Sequence, residues 1–229
     1  MERIILIETS TALCSTALIE NGSITSYRES SAPKAHASLT AVFIEEMLAE
    51  RGLALSDCDA VCVSMGPGSY TGLRVGVSTA KGLCFGSGKP LIAVGTLDTL
   101  AAQAEIHGKD EAFKYIIPMI DARRMEVYAA VFTADGRQVT ETAPAIIDEN
   151  SFSSQLEEGA VLFIGDGAGK CADVIKHPNA HFLQCHPKAS AMLVPAMKAY
   201  KEKRFEDVAY FEPFYLKEFV ATVSKKKLF

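Results

Sequence analysis

The stretch Gly66-Pro-Gly-Ser-Tyr-Thr-Gly72 sets three glycines, a proline and three hydroxyl side chains between two apolar runs, with Arg74 just beyond. Glycines let a backbone approach a ligand closely, a helix that follows aims its amide dipoles at the loop, and Ser69, Tyr70 and Thr71 add donors. That is the chemistry of anion binding. The spacing Gly66-x-Gly68-x-x-x-Gly72 is one residue too long for the dinucleotide fingerprint, and no Lys-Ser or Lys-Thr pair follows as a phosphate loop requires. A serine nucleophile is the second chemistry to weigh. The elbow pattern G-x-S-x-G fails here, because Pro67 and Thr71 stand at the glycine positions around Ser69 and no histidine follows in a catalytic context. The plainer alternative is a capping turn, with Ser69 or Thr71 as the N-cap of the helix.

A second glycine turn, Gly165-Asp-Gly-Ala-Gly-Lys170, also follows an apolar strand and opens a helix. Residues 177–186 gather three histidines and Cys185, a set that could ligate zinc. Pro178 and the strand-like run from His181 stop one helix from presenting His177 and His181 together, so no metal site is expected. The six cysteines lack CxxC spacing and lie mostly in apolar runs, which reads as reduced, buried thiols.

These groups need elements to hold them. The chain has 229 residues, 48% of them hydrophobic and 22% charged, enough for a full core in one large domain or two small ones. A net charge of −5 argues against a surface that grips nucleic acid unaided. The one basic cluster, Lys225-Lys-Lys227, reads as a solvated tail. Met1-Glu-Arg3 leads straight into a strand-like run and no apolar stretch is long enough to span a bilayer, so a cytoplasmic protein is expected.

The opening residues read as an antiparallel meander: strands 3–10, 13–20 and 23–28, with Asn21-Gly22 as a two-residue hairpin turn. A helix over 38–52 with Ser38 at its N-cap follows, then a strand 60–65, the glycine loop, a helix 73–85, a strand 91–95 and a helix 97–105. After a polar boundary at 107–112 the pattern returns: strands 115–121 and 126–132, a turn at Asp135-Gly136, a third strand near 137–142, and a strand 160–165 into the second glycine turn. Strand, hairpin, strand and then helices, twice over, predict a duplicated α/β unit with a cleft between the copies.

The strand ending at Met65, the loop 66–74 and Gly76-Val-Ser-Thr-Ala-Lys-Gly82 closely resemble the TsaB (YeaZ) family of bacterial proteins, which take part in the threonylcarbamoyl modification of adenosine 37 in tRNAs that read ANN codons. The resemblance continues through residues 4–10, Met119-Ile-Asp-Ala-Arg-Arg-Met-Glu-Val-Tyr128 and Glu212-Pro-Phe-Tyr-Leu-Lys217. It implies the two-lobed actin, hexokinase and Hsp70-like fold built on RNase H-like lobes, here 1–108 and 109–229, with the terminal segment free to pack back on the first lobe.

In that superfamily the acid after the first strand and the acid opening the second lobe lie at phosphate hairpins, and the second-lobe GxG faces adenosine. Residue by residue this implies a nucleotide- or anion-binding set of Glu8, Ser10, Gly66, Gly68, Ser69, Thr71, Arg74, Asp121, Gly165 and Gly167. Glu8 departs from the usual Asp, and its extra methylene would displace any metal-bound water. The catalytic relative, TsaD, ligates metal through a HxxxH helix, whereas this chain has His36 followed by Thr40 at that spacing.

The resemblance therefore implies a noncatalytic subunit with no metal and no cofactor of its own, with ATP or ADP confined to the complex interface. Its partners would be TsaD and a TsaE-type ATPase, or a second copy in isolation, with tRNA met only through the complex. The rival is a self-sufficient ATP-dependent small-molecule kinase or a glycoprotease-like peptidase. Gly72, Gly76, Ala80 and Cys84 recur every four residues as a stripe of small side chains, and Leu39, Val42, Phe43 and Met47 share a face of the earlier helix. Since TsaB-like proteins pair through these two helices, Leu39, Val42, Phe43, Met47, Gly72, Gly76, Ala80 and Leu83 are the expected interface.

Overall fold

The computed structural model describes residues 2–107 and 113–217. The expected lobe boundary at 108 and 109 and the lysines at 225–227 lie outside the described residues.

Strands β1 (Arg3–Glu8), β2 (Cys14–Glu20) and β3 (Ser23–Ser30) form the expected meander, and Asn21 and Gly22 both adopt positive φ, as a two-residue hairpin needs. Helix α1 (Ala35–Glu50), β4 (Ala60–Gly66), α2 (Tyr70–Ser87), β5 (Leu91–Gly95) and α3 (Thr96–His107) complete the first unit. The sheet runs β3-β2-β1-β4-β5, with β4 and β5 parallel to β1.

The second unit contains β6 (Tyr115–Asp121), β7 (Glu126–Ala129), β8 (Phe132–Thr133), β9 (Ala143–Ile146), α4 (Ser153–Glu158), β10 (Val161–Gly165), α5 (Ala168–Cys171), β11 (Ala180–Gln184) and α6 (Leu193–Lys201). Its order, β9-β7-β6-β10-β11, repeats the first sheet position for position. This is the duplicated, two-lobed architecture expected from the sequence.

Three elements differ from expectation. The strand expected over 126–132 is interrupted at Ala130 and Val131, leaving β7 and β8 as separate pieces. α1 starts at Ala35, because Lys34 at the cap is left-handed with no side-chain cap; Ser38 lies inside the helix and donates its hydroxyl to the Lys34 carbonyl. Residues 137–142 form no strand: the Asp135-Gly136 turn closes on the two-residue β8, which pairs with β6, and the ladder against β7 resumes only at Ala143.

Strand alternation sends Ile5, Ile7, Val61 and Val63 to one face of the first sheet, where α1 and α2 cover them with Ile44, Met47, Val77, Ala80 and Cys84. The opposite face, with Ile4, Leu6, Ala17 and Ile19, is covered by Ala189, Met192 and Ala196 from the end of the chain. In turn α3, which starts against β4 through the Ser64–Thr96 hydroxyl pair, packs Leu97, Leu100, Ala101 and Ala104 on Ile116, Ile120, Phe132 and Ile164 of the second sheet. Each lobe therefore borrows a helix that the other lobe's half of the sequence supplies. After α6 the chain crosses back over the first lobe: Glu206 pairs with Leu91, Val208 and Phe211 join the α1–α2 side of the core, and Lys81 donates to the Ala209 and Phe211 carbonyls.

Candidate functional site in the interlobe cleft

A cleft of ≈ 630 Å³ opens between the lobes. The first lobe supplies Ser10, Thr11, His36 and the loop Pro67 to Thr71; the second supplies Asp121, Arg123, Tyr128 and Asp166. Phe214 to Lys217 line its remaining side.

The first glycine loop is shaped by its own lobe. A Cβ on Gly68 would overlap the Ser10 carbonyl, one on Gly72 the Thr9 carbonyl, and one on Gly76 the Thr9 hydroxyl. The loop and the start of α2 thus sit against the end of the central strand, and the Ser69 amide donates to the Ser10 carbonyl at 2.6 Å. Ser69 is the N-cap and accepts from the Gly72 amide, which settles the capping role between Ser69 and Thr71. A Cβ on Gly66 would stand 2.8 Å from the Phe214 carbonyl, whose own amide donates to the Met65 carbonyl at 2.7 Å. Arg74 turns its guanidinium over the Tyr70 ring, 5.0 Å from the centroid, and Tyr70 in turn packs on Tyr215.

The second glycine turn repeats the device. A Cβ on Gly165 would overlap the Met119 carbonyl, and one on Gly167 would stand 2.9 Å from Val127 and 3.2 Å from the Asp121 nitrogen. Both glycines seat α5 on the end of β6.

The acids are occupied as well. Glu8 is fully buried, its Oε1 accepts the Ser10 amide at 2.7 Å and its Oε2 has no partner. Burial raises its pKa, with the Ser10 donors pulling the other way. Asp121 is exposed, but its Oδ1 takes the Arg123 amide and the Lys170 ammonium, while its own amide donates to Asp166 Oδ1. Burial also raises the pKa of Asp166.

Of the expected binding set, Ser10, Gly68, Ser69, Thr71 and Asp121 therefore line the cleft. Glu8, Gly66, Gly165 and Gly167 lie beneath it, and Arg74 stands outside it on Tyr70. Arg123, Asp166, Tyr215 and Lys217 join the cleft without having been singled out individually. The signals that contained them were the quoted runs 119–128, 165–170 and 212–217. His36 faces the cleft too, with Nε2 2.8 Å from the Thr11 carbonyl. The 177–186 cluster is dispersed: His177 accepts the Asn179 amide, His181 stacks edge-on with Phe113, and Cys185 meets Gln103. Among the described residues no three His, Cys, Asp or Glu side chains converge as metal ligands.

The expected interface needs correction. Gly72, Gly76, Ala80 and Cys84 are buried on their own sheet, as is Met47, because the stripe's smallness lets α2 approach β1 and β4. Leu83 is half-buried and packs against the same core. Away from the sheet the two helices carry Leu39 and Phe43, half-buried, with Val42 41% and Phe85 88% exposed. Gly82 and Gly86 lie on the same side, with nothing near the position of a Cβ.

The family model described as "TsaD: tRNA N6-adenosine threonylcarbamoyltransferase" matches residues 28–225. A protein of Escherichia coli (strain K12), "tRNA threonylcarbamoyladenosine biosynthesis protein TsaB", is 30% identical over 229 residues, covering 96% of this chain and 96% of its own. The chain belongs to the TsaB family. A Bacillus subtilis protein of the same name is 30% identical over 168 residues, covering 71% of this chain and 70% of its own length. A solved Pseudomonas aeruginosa structure, "YeaZ", superposes with a TM-score of 0.79 at 26% identity, covering 94% of this chain and all of that one. A second Pseudomonas structure, titled as similar to "peptidase YEAZ", reaches 0.83 at 27% identity, covering 95% and 100%. In this TsaB-family chain, then, the glycine loops pack against strand ends, and Glu8 and Asp121 each accept a backbone amide within the protein. No helix among the described residues is long and apolar enough to cross a membrane.

Proposed function

We propose that this chain is a noncatalytic cytoplasmic subunit of tRNA threonylcarbamoyladenosine synthesis that binds and activates a TsaD-type transferase, with a TsaE-type ATPase as third partner. The observation that carries the reading is that Glu8 is buried and Asp121 is held by neighbouring groups. Glu8 is sealed under the loop, and both the carboxylate and the amide of Asp121 are engaged by neighbours. Phosphoryl chemistry needs such groups free for metal and phosphate. Nucleotide belongs to the partners or to the shared interface, and this chain requires none.

The partner meets the outward side of α1 and α2, where Val42 and Phe85 are exposed and Leu39 and Phe43 half-buried. In isolation a second copy takes the same place. With a net charge of −5 the chain alone binds tRNA weakly. The test is reconstitution from threonine, bicarbonate, ATP and tRNA. The chain alone yields no threonylcarbamoyladenosine and restores synthesis when added to its partners. Modification, ATP turnover or peptide cleavage by the purified chain alone would overturn the reading.

A further inference from the structure

The tip of the β6–β7 hairpin holds two successive non-glycine residues in the left-handed region, Arg123 at φ 69° and Arg124 at φ 49°. This conformation is unfavourable for any residue carrying a Cβ and is ordinarily given to glycine or asparagine. The β2–β3 hairpin of the same molecule does that with Asn21-Gly22. Strain of this kind persists only where the surroundings over-determine it, and it concentrates at functional positions. Here the brace is visible: the Lys170 ammonium reaches the Asp121 carboxylate, the Arg124 carbonyl at 2.8 Å and the Glu126 carbonyl at 2.7 Å, while Asp121 Oδ1 takes the Arg123 amide. Both arginines are exposed, and among the described residues neither guanidinium has a hydrogen-bond or ion-pair partner. Arg123 lines the cleft together with Ser69, Tyr70 and Thr71 at the start of α2.

We propose that Arg123 and Arg124 form an RNA-backbone contact: a braced, strained tip that presents two guanidinium forks to phosphates of the tRNA held by the assembled complex. A planar fork suits a phosphate's paired oxygens. Two such contacts are too few to hold tRNA without the partner and enough to position it once bound. The proposal rests on the reading of this chain as a subunit of the tRNA-modifying complex.

The experiment uses the full chain assembled with its TsaD-type partner, a tRNA transcript as probe, and the double replacement Arg123→Asn/Arg124→Gly, which suits the turn and removes both forks. Expected are a melting temperature at or above that of the parent chain, unchanged partner affinity without RNA, and tRNA binding weakened about tenfold. The slope of log affinity against log salt should fall by about one to two. The replacement Arg123→Lys/Arg124→Lys should retain most of that slope. Unchanged tRNA affinity and slope in the Asn-Gly variant would overturn the proposal and leave the partner reading standing. Loss of partner binding in the absence of RNA would also overturn it, by showing that the tip meets an acidic protein surface. If the parent chain forms no complex at all, both readings fall.

Discussion

Glycines within one helix can have opposite meanings. A methyl on Gly72 would run into the Thr9 backbone, whereas one on Gly82 would meet nothing. Gly72→Ala should therefore destabilise the chain by about 2–3 kcal/mol through overpacking. Gly82→Ala should stabilise it by roughly 1 kcal/mol through helix propensity. Urea midpoints of the two variants check this, and equal shifts would show that α2 does not lie as described. Glu8 makes a different test. Burial lifts its pKa above the ordinary 4.5, so the folded protein keeps that proton to higher pH than the unfolded chain does. Stability should fall as pH rises from about 4.5 through the folded value and level off beyond it. Glu8→Gln should lack this component and gain on the parent chain at alkaline pH, as read from unfolding free energy against pH. The types of these residues were legible in the sequence. Their partners were not, since the Asp166 to Asp121 bond joins positions whose proximity only the fold creates.

At the scale of elements, the existence of the first lobe's helices and the first meander was legible because their signals are local: Asn21-Gly22 for the hairpin and Ser69 for the α2 cap. The side on which α2 faces its own sheet was not legible. A stripe of small residues states that something packs closely, without naming what, and here it is β1 and β4 of the same lobe. The consequence is a reversal that can be measured. Ala80→Arg forces a charge into a fully buried site and should unfold the chain, at a cost above ~4 kcal/mol. Phe85→Arg, on the outward side, should leave stability within about 0.5 kcal/mol and weaken partner binding at least tenfold. Circular dichroism and a pull-down with the TsaD-type partner read both effects. A folded Ala80→Arg chain would contradict the packing, and normal partner binding by Phe85→Arg would contradict the interface.

The whole molecule is tied together by exchange. α3 lies in the second lobe's core and α6 in the first's, and the Lys217 ammonium reaches Glu126 from a segment anchored at Met65. Neither lobe keeps its full core when the other opens. Thermal unfolding should accordingly be a single transition, coincident by far-ultraviolet circular dichroism and by tyrosine fluorescence, and two resolved steps would count against the cross-packing. The duplication announced itself in the sequence through repeated strand patterns. The exchange did not, because short helices such as α6 carry no mark of the sheet they will cover.

The same exchange sets an order of events on the ribosome. The strands of the first sheet are all made by Gly95, yet the residues that cover its second face, Ala189 to Ala199, are made only much later in translation. At ~5–20 residues per second, Ile4, Leu6, Ala17 and Ile19 wait on the order of ten seconds for their cover. During that interval a nascent chain long enough to have formed its first sheet carries an apolar face open to chaperones, or to the same face of a neighbouring nascent chain.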